Sequence, residues 1–471
     1  MMKLRAILTA ATLAALQASP ASAATLTVDQ YLGQVANAHE GYQGAVASGH
    51  ADSEASREAT LAFSPQLFAS LQHVDDRRQT IVPAFEGTRT VTDTSQFGFK
   101  KLFDFGLQTQ LSYNISSNTI YNVSPLLVPQ NSLVTSGLML QLTQSLWQNG
   151  FGKMDRLTQS AVEAQDRANS FNNSYQAKTI LADAESRYWV LAIAREVTKV
   201  QRASLERMNS IRDFNARRVR SHLADEADLL TSVAQAKAKE FDVKTAIDNE
   251  RTSARAFNST RGVDSDRVDE TLALPPAMAM NSLSAPNRAS MRDDVKAAEQ
   301  SEIAASANSD AAAQKQLPTL NLVGAVSTNG LDTSLGTSVS NTLTTQYPYY
   351  SLAVNFSAPL DRQTVTSVRR AYAEQVKGAE LAYHRRLFDQ ENDWKDLMNK
   401  FQEAKERLSI AVAAESAQKV KLENEVKRQK QGVTTTYQVF QYEIDYLNSE
   451  LNRIQTQATI FGLMAQMKTY L

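Results

Sequence analysis

Apolar side chains recur along much of the chain at the 3–4 spacing of helices that pack along a narrow seam. One series runs through Trp394, Leu397, Phe401, Ala404, Leu408 and Ala411. A second runs through Phe440, Ile444, Leu447, Leu451, Ile454, Ala458 and Phe461. The remaining positions are mostly Lys, Glu, Gln and Asn. The pattern therefore predicts long helices that pack as coiled coils.

One uninterrupted stretch predicts a helix unlike those of globular cores. From Lys153 to Arg220 the chain contains no Pro and no Gly, and good helix formers predominate. At 1.5 Å per residue such a helix would be roughly 100 Å long. Gly and Pro are sparse throughout, with 17 and 11 among 471 residues. This composition favours long helices over compact α/β units.

Between the predicted helices, other segments alternate with a period of two. One such series is Tyr350, Leu352, Val354, Phe356, Ala358 and Leu360, and another is Phe103, Phe105, Leu107, Thr109, Leu111, Tyr113 and Ile115. Shorter candidates are Leu67–His73, Ser136–Ser145 and Thr319–Val326. This alternation is typical of membrane strands around a wet lumen. A soluble sandwich with one wet face would show the same pattern.

Aromatic residues near these segments are consistent with an interfacial girdle. They are Phe63, Phe68, Phe97, Phe99, Tyr121, Tyr347 and Tyr349.

The two halves of the chain resemble each other, which predicts an internal repeat. Ser64-Pro65-Gln66-Leu67 is echoed by Leu317-Pro318-Thr319-Leu320, and the strand 138–146 is echoed by 352–360. We expect a first repeat over 24–275 and a second over 276–471. Each would contain a helix, strands, a long helix, a sharp tip and a returning helix. A polar linker over 262–290 joins them.

The predicted tips, at 221–223 and 431–433, have charges that suit helix ends. Arg217–Arg220 and Lys427–Lys430 supply cations before the tips, and acids or Thr follow. Both choices complement helix dipoles. Gly432 can adopt the left-handed conformation that a helix C-terminus favours. Solvated helix ends would account for these cations without any partner, but their pairing at equivalent tips favours a contact surface.

The first residues predict a secreted protein. Lys3 and Arg5 precede an apolar run, and Ala21-Ser22-Ala23 is a small-x-small cleavage pattern, so we expect a signal peptide over 1–23. The chain has no Cys, which excludes disulfides and thiolate metal sites. Its net charge of −1 removes the electrostatic footprint of a nucleic-acid binder. Beyond the signal peptide no apolar run is long enough for a membrane helix, so a membrane crossing would require a closed β-barrel.

The strand count predicts an assembly. One chain offers four to six strands, whereas bacterial membrane barrels need at least about eight. The barrel must therefore be shared between chains. The helices before Pro65 and after Leu146 should lie on one side of the membrane, which requires an even number of strands between them. We therefore expect Phe97–Ile115 to form a hairpin that turns near Asp104-Phe105-Gly106, or else to stay outside the bilayer.

Over essentially the whole mature chain, the sequence resembles the TolC-like outer-membrane efflux protein family. The carriers are 140–146 followed by Trp147-Gln148-Asn149-Gly150, then 316–320, and Asn355-Phe356-Ser357-Ala358-Pro359-Leu360. The resemblance implies a homotrimer with a transmembrane β-barrel shared among three chains and an α-barrel of long antiparallel coiled-coil helices in the periplasm. It also implies a tip that meets a periplasmic adaptor and an inner-membrane pump. Four strands per chain are usual in the family, so a hairpin at Phe97–Ile115 would be an insertion.

The resemblance also assigns roles to individual residues. Adaptor-contacting tips correspond to Ser221, His222 and Leu223 and to Gln431, Gly432 and Val433; only Leu223 and Gly432 fit the family pattern. The two constriction aspartates are replaced by Gln438 and Gln441, which puts cation blockade in doubt. Asp228 matches a gate acid, but its usual Tyr and Arg partners fall at Gln429 and Thr434. We therefore expect different hydrogen bonds at the gate.

No enzyme site is evident. The five His (His39, His50, His73, His222 and His384) are scattered, and we find no phosphate loop and no Ser/His/Asp set. We expect no catalysis, no cofactor and no metal. The preferred function is passive export of small molecules or proteins through an outer-membrane channel of the efflux type. The alternatives are a type I protein-secretion outlet and a periplasmic coiled-coil protein without a pore.

Overall fold

The computed structural model describes residues 25–280, 282–288, 291–344 and 346–471. The predicted signal peptide lies outside the described residues. The helices are α1 (Val28–Ala38), α2 (Glu40–Ala55), α3 (Glu58–Leu61), α4 (Pro83–Glu86), α5 (Lys153–Arg220), α6 (Glu226–Thr260), α7 (Ala277–Met280), α8 (Asp293–Lys315), α9 (Leu335–Thr342), α10 (Arg362–Lys430) and α11 (Thr436–Met467). The strands are β1 (Thr25–Leu26), β2 (Gln66–Asp76), β3 (Arg89–Leu102), β4 (Leu107–Tyr121), β5 (Ser132–Ser145), β6 (Thr271–Leu272), β7 (Thr319–Ser327), β8 (Gly330–Asp332) and β9 (Tyr349–Ser357).

The chain divides into two compact units. The helical unit takes the described residues of Met1–Gly44, Gln176–Ala289 and Asp393–Leu471. The sheet unit takes those of Ala45–Tyr175 and Ser290–Asn392. The two repeats stay a prediction.

The long helices begin and end where their sequences predict. α5 covers the whole of the predicted helix Lys153–Arg220, and α10 has a similar length. The two returning helices are capped at their first turns: the Asp225 carboxylate accepts from Ala227 N, and the Thr435 hydroxyl accepts from Gln438 N. Such caps satisfy backbone donors that a helix start otherwise leaves open.

Both heptad series form the core of the helical unit. Phe401, Ala404 and Leu408 are buried, as are Phe440, Leu447, Ile454 and Phe461. The Trp189 ring from α5 stacks on Phe461 with centroids 3.8 Å apart. The predicted coiled-coil seams are therefore confirmed as packing surfaces.

A second cluster in the helical unit holds the N-terminal segment in place. Tyr31 stacks on Phe257 with ring centroids 4.1 Å apart, and burial raises the pKa of Tyr31 to about 12. The Tyr188 hydroxyl donates to Leu26 O at 2.6 Å. β1 pairs in parallel with β6, which lies inside the predicted linker. Part of the linker is thus held by pairing with β1.

The sheet unit contains an antiparallel sheet in the order β2-β3-β4-β5-β7-β9, and β8 pairs with β5 beyond β7. The strands at all five predicted segments are present. One register row crosses all six main strands: Leu67, Phe99, Leu111, Leu140, Val326 and Tyr350. Directly opposed residues share a face, so this row defines one side of the sheet.

The segment around Phe97–Ile115 forms the expected hairpin. β3 and β4 pair along their lengths, and Phe103–Gly106 makes the turn between them. The alternation that starts at Phe103 is therefore wrong for its first residues, because Phe103 and Phe105 belong to the turn and β4 begins at Leu107. The start of β3 at Arg89, β8 and α9 were not predicted from the sequence, since none of these has a regular apolar alternation.

The hairpin turn is held against the start of α5. Gly106 and Gly152 both have positive φ, at 77° and 74°, and a Cβ on either would clash with the backbone of the other's loop. Arg156 Nη1 donates to Asp104 O at 2.6 Å and to Phe151 O at 2.7 Å. We call this contact the glycine clasp; it joins the turn to the first residues of α5.

Candidate functional site

The connection between α5 and α6 is a tight helix end closed by backbone hydrogen bonds. His222 N donates to Val219 O at 3.0 Å, and Leu223 N donates to Arg218 O at 2.8 Å. This pair of bonds is a Schellman motif. His222 takes its left-handed position with φ of 55°, although it is not a glycine. The predicted first tip is therefore a defined turn.

The connection between α10 and α11 repeats the same motif. Gly432 N donates to Gln429 O at 3.0 Å, and Val433 N donates to Arg428 O at 3.1 Å. Gly432 has φ of 74°, as the sequence predicts. The two tips are thus equivalent in backbone structure, with Gly432 at the position of His222 and Val433 at the position of Leu223.

All six predicted contact residues are exposed, and each tip presents one apolar side chain. Leu223 and Val433 have most of their side-chain surface in solvent. Ser221, His222, Gln431 and Gly432 are also exposed. An exposed apolar residue at the apex of each turn is suited to contact a partner. The contact itself stays a prediction.

Some residues of the basic clusters make hydrogen bonds or ion pairs within their own tip. Arg218 Nη2 donates to Leu223 O at 2.9 Å, across the turn that it precedes. Arg428 Nη1 lies 3.3 Å from Glu425 Oε2, one helical turn back. Arg220 Nε also donates to Ala216 O at 3.2 Å, so each cluster contains at least one cation with a local partner.

The predicted gate acid, Asp228, makes no side-chain hydrogen bond in the described part of the chain. Asp228 is exposed, and among the described residues its carboxylate has no hydrogen-bond partner. Its backbone carbonyl accepts from the Ser232 hydroxyl at 2.7 Å. The role of Asp228 at a gate stays a prediction.

A buried polar chain joins the two tips. Gln429 Nε2 donates to Thr436 Oγ1 at 3.3 Å, and Thr436 Oγ1 donates to Asn215 Oδ1 at 3.2 Å. Asn215 Nδ2 then donates to Ser232 Oγ at 2.6 Å. All four side chains are buried. Gln429 is therefore hydrogen-bonded within the chain, while the bonding of the gate stays a prediction. The other members of this polar chain were not found from the sequence, because polar residues on helices are usually solvated.

Thr434, the other substituted gate position, also has a local partner. Its hydroxyl donates to Glu425 Oε1, which is buried on α10. The bond joins the second tip to the helix that precedes it. Neither substituted position therefore contacts Asp228 within the chain.

A second buried polar cluster lies further along the same helices. Arg207 Nε donates to Glu443 at 2.8 Å, and its Nη2 donates to Glu450 at 3.2 Å. Ser204 Oγ donates to Glu443 at 2.9 Å, and Tyr446 OH donates to Glu450 at 3.0 Å. Burial raises the pKa of Glu443. These bonds fix the register between α5 and α11. The cluster was not predicted from the sequence.

The two predicted constriction residues are uncharged and differ in exposure. Gln441 is exposed and donates to Asp445 Oδ1 at 3.1 Å, while Gln438 is half-buried. Asp445 in turn lies 3.5 Å from Lys421 Nζ. Asp445, the hydrogen-bond partner of Gln441, is therefore also paired with a cation, Lys421.

The faces of the sheet differ sharply in polarity. The row through Leu111 and Leu140 is apolar, and its side chains are exposed. The next residues in each strand lie on the opposite face, where a typical row is Gln66, Lys100, Gln110, Gln141, Ala325 and Ser351. The alternation predicted from the sequence is confirmed in these rows, which are apolar on one face and polar on the other. Further along the strands, the hydrogen-bonded pair His73 and Asp93 lies on the same face as Leu67 and Phe99.

The predicted aromatic girdle is not a single surface. Phe97, Phe99, Tyr121 and Tyr347 are exposed. Phe68 pairs with Gly98 and so lies on the polar face, away from Phe99. The set therefore contains residues from both faces of the sheet. A girdle role stays a prediction.

No helix in the described part of the chain has both the length and the apolar character required to cross a membrane.

The sequence matches no model of a known protein family and no curated protein.

Solved structures with the same architecture do exist. The outer membrane protein VceC from Vibrio cholerae is similar over 94% of this chain and 95% of its own, with a TM-score of 0.66 and 13% identity. The Campylobacter jejuni CmeC outer membrane channel matches over 99% and 93%, with a TM-score of 0.63 and 13% identity. The open state of the Neisseria gonorrhoeae MtrE outer membrane channel matches over 94% and 88%, with a TM-score of 0.65 and 14% identity.

The chain therefore has the fold of outer-membrane channels. The similarity covers nearly the whole of both chains, so it includes the long helices and the sheet alike. The resemblance to the TolC-like family is confirmed at the level of fold.

Proposed function

We propose that this protein is the subunit of a TolC-like channel in the cell outer membrane that extends into the periplasm. As a homotrimer it would give passive export, of the efflux type, from an inner-membrane pump. The observation that carries the proposal is the antiparallel sheet of six main strands with one exposed apolar face, on a fold shared with outer-membrane channels.

The apolar face supports a lipid environment. Its exposed residues include Leu111, Leu138, Leu140 and Leu142, which lie next to one another on two central strands. A continuous apolar surface of this kind is unusual on a soluble protein. Facing lipid, with the polar face towards water, it has the arrangement of a membrane strand set. A periplasmic coiled coil without a pore would not need it.

The two tips support a docking role. They have the same backbone motif and each exposes one aliphatic side chain, Leu223 or Val433, beside basic residues. We propose that these tips contact a periplasmic adaptor protein. The departures from the family pattern at Ser221, His222, Gln431 and Val433 favour a partner particular to this channel.

The gate is proposed to work without an aspartate ring. Gln438 and Gln441 would face the constriction and lack the charge that concentrates cations there. Asp228, exposed and without a partner in the described chain, would bond across to a neighbouring copy. If so, Asp228→Ala should raise the conductance of the closed channel, whereas Asp248→Ala, at an exposed position further along the same helix, should not. Equal conductance of Asp228→Ala and the unmodified channel would remove Asp228 from the gate.

No catalytic step is part of this proposal. The structures with this fold named above are channels, and the energy for export would come from the pump. The same architecture would serve a type I protein-secretion outlet, in which the transporter is ATP-driven and the cargo a protein. The neighbouring genes distinguish these two cases.

The decisive first measurement is the native mass of the protein extracted from outer-membrane fractions in mild detergent. Light scattering should give the mass of three chains, and planar-bilayer recordings of that material should show channels. A monomer or dimer free in the periplasm would contradict the proposal and leave the pore-free coiled coil.

A further inference from the structure

We infer that each copy contributes six strands to one membrane barrel, which closes by antiparallel pairing of β2 in one copy with β9 in the next. The inference rests on the proposed trimeric channel and adds the composition of its wall. Three copies of six strands would make an eighteen-stranded barrel, wider than four strands per copy would allow.

The outer strands of the sheet lack a second neighbour. In the described residues β2 pairs only with β3, and β9 pairs only with β7. Their outward backbone groups are therefore unpaired, which a bilayer does not tolerate. Six strands are too few to close on themselves, since membrane barrels begin at about eight. Both edges need a partner strand.

Most of each edge lacks the features that usually prevent pairing. Natural sheets protect free edges with charged side chains, Pro or bulges. β2 and β9 contain no Lys, Arg or Pro, and the two acids of β2, Asp75 and Asp76, lie at its last two positions. In the apolar row, Leu67 on β2 and Tyr350 on β9 are 74% and 70% exposed, whereas Leu111 and Leu140 on inner strands are each 40% exposed. The apolar side chains of the two edge strands are therefore less covered than those of the inner strands.

A second copy of this chain fits both edges. Six antiparallel strands leave β2 and β9 running in opposite directions, so β9 of one copy can pair with β2 of the next in the antiparallel sense. Head-to-tail pairing of this kind closes into a ring. It also joins the apolar face of β9, through Leu352 and Val354, to that of β2, through Leu67 and Leu71.

The β3–β4 hairpin belongs to the wall, because it is paired on both sides. β3 pairs with β2 along all of β2, and β4 pairs with β5 along most of β5. At its turn, the glycine clasp of Gly106, Gly152 and Arg156 fixes the hairpin to the start of α5. An insertion lying outside the wall would leave β2 beside β5, which is not observed.

The consequence is the width of the barrel. With strands about 4.8 Å apart and tilted by about 40°, eighteen strands enclose a ring about 36 Å across between backbones, whereas twelve enclose about 24 Å. The polar face, with Gln110 and Gln141, would line this wider lumen.

Cysteine cross-linking tests the closure directly, because the natural chain contains no Cys. Ser70→Cys on β2 is combined in turn with Cys at each polar-face residue of β9: Tyr349, Ser351, Ala353, Asn355 and Ser357. After mild oxidation of membranes, at least one pair should give a covalent trimer on denaturing gels. Gln110→Cys, on the same face of inner strand β4, should give no product with any of these positions.

The outcome separates the inference from the proposed function. A cryo-electron microscopy map of the trimer in lipid should show eighteen strands. A trimer in outer-membrane fractions that shows twelve strands, gives no product through Ser70, or cross-links through Gln110 overturns the inference and leaves the channel intact. A periplasmic monomer overturns both.

Discussion

At the residue scale, the two tips show how one backbone motif tolerates different side chains. His222 and Gly432 hold the same left-handed position, with φ of 55° and 74°. Glycine adopts this conformation freely, whereas a residue with a Cβ is strained there. The first tip therefore stores strain that the second lacks, at a site proposed to contact a partner.

This difference predicts opposite effects of two substitutions. Gly432→Ala should destabilise the second tip by about 1 kcal/mol, because alanine is strained at positive φ, and His222→Gly should stabilise the first tip by a similar amount. Protease cleavage rates at the tips of the detergent-solubilised protein measure both. Equal rates in the two variants would show that tip stability does not depend on the left-handed residue.

Glu270 makes stability depend on pH. Its carboxylate accepts from Arg261 Nη1 at 2.8 Å, and this hydrogen bond lowers the pKa of Glu270 below its ordinary value of 4.5. A lowered pKa in the folded state adds stability above pH 4.5 that is lost as the pH falls through the folded value. The bond therefore stabilises the linker only in the ionised form.

Glu270→Gln should lower stability at pH 7 by about 1 kcal/mol and should weaken the loss of stability on acidification. Thermal unfolding midpoints measured from pH 7 down to pH 3 would show both effects. Glu206→Gln, at an exposed position of α5, provides a control for removal of a surface acid. Parallel pH profiles for Glu270→Gln and the unmodified protein would contradict the assignment.

At the element scale, the hairpin depends on contacts far along the chain. β3 and β4 pair through a turn whose glycine lies against Gly152, and Arg156 bonds the turn carbonyl at Asp104. Both positions require glycine for two reasons. Both have positive φ, and a Cβ on either residue would clash with the backbone of the other loop.

Gly152→Ala should therefore displace the hairpin turn and cost at least about 2 kcal/mol, since it combines strain at positive φ with a backbone clash. Gly150→Ala is the matched control two residues earlier, because a Cβ there meets no atom within 4 Å. The heat resistance of the trimer on gels compares the two variants. Equal heat resistance would show that the clasp does not hold the hairpin.

At the scale of the whole molecule, the polarity of the sheet determines where the protein can reside. Adjacent residues of β5 point to opposite faces, with Leu140 in the apolar row and Gln141 in the polar row. In the proposed barrel the first meets lipid and the second meets water. Their environments differ although they are neighbours in sequence.

Leu140→Arg should cost about 2–4 kcal/mol if the position lies near the bilayer midplane, because an arginine would face hydrocarbon. Gln141→Arg should have little effect on assembly. The amount of folded trimer in outer-membrane fractions compares the two. Reversed sensitivities would mean that the apolar face does not face lipid.

The sequence by itself determined the elements whose signals are local. Heptad spacing located the seams through Phe401 and Phe461. The cations of Arg217–Arg220 and the acids after them marked the end of α5, and Gly432 marked the end of α10. Alternation identified the two-faced strands, because successive side chains on a strand point to opposite sides. Each of these patterns is fixed by neighbours within a few residues.

Only the tertiary structure decided which distant residues meet. Asn215 and Thr436 join the two tips, Glu443 pairs with Arg207, and Gly106 lies against Gly152, although nothing in their local sequence indicates these partners. The burial of a polar side chain depends on what packs over it, and that is set by contacts between helices rather than by spacing along one. The six-strand order was likewise decided by pairing between separate segments, which is why the sequence could predict the hairpin but not the extent of its strands.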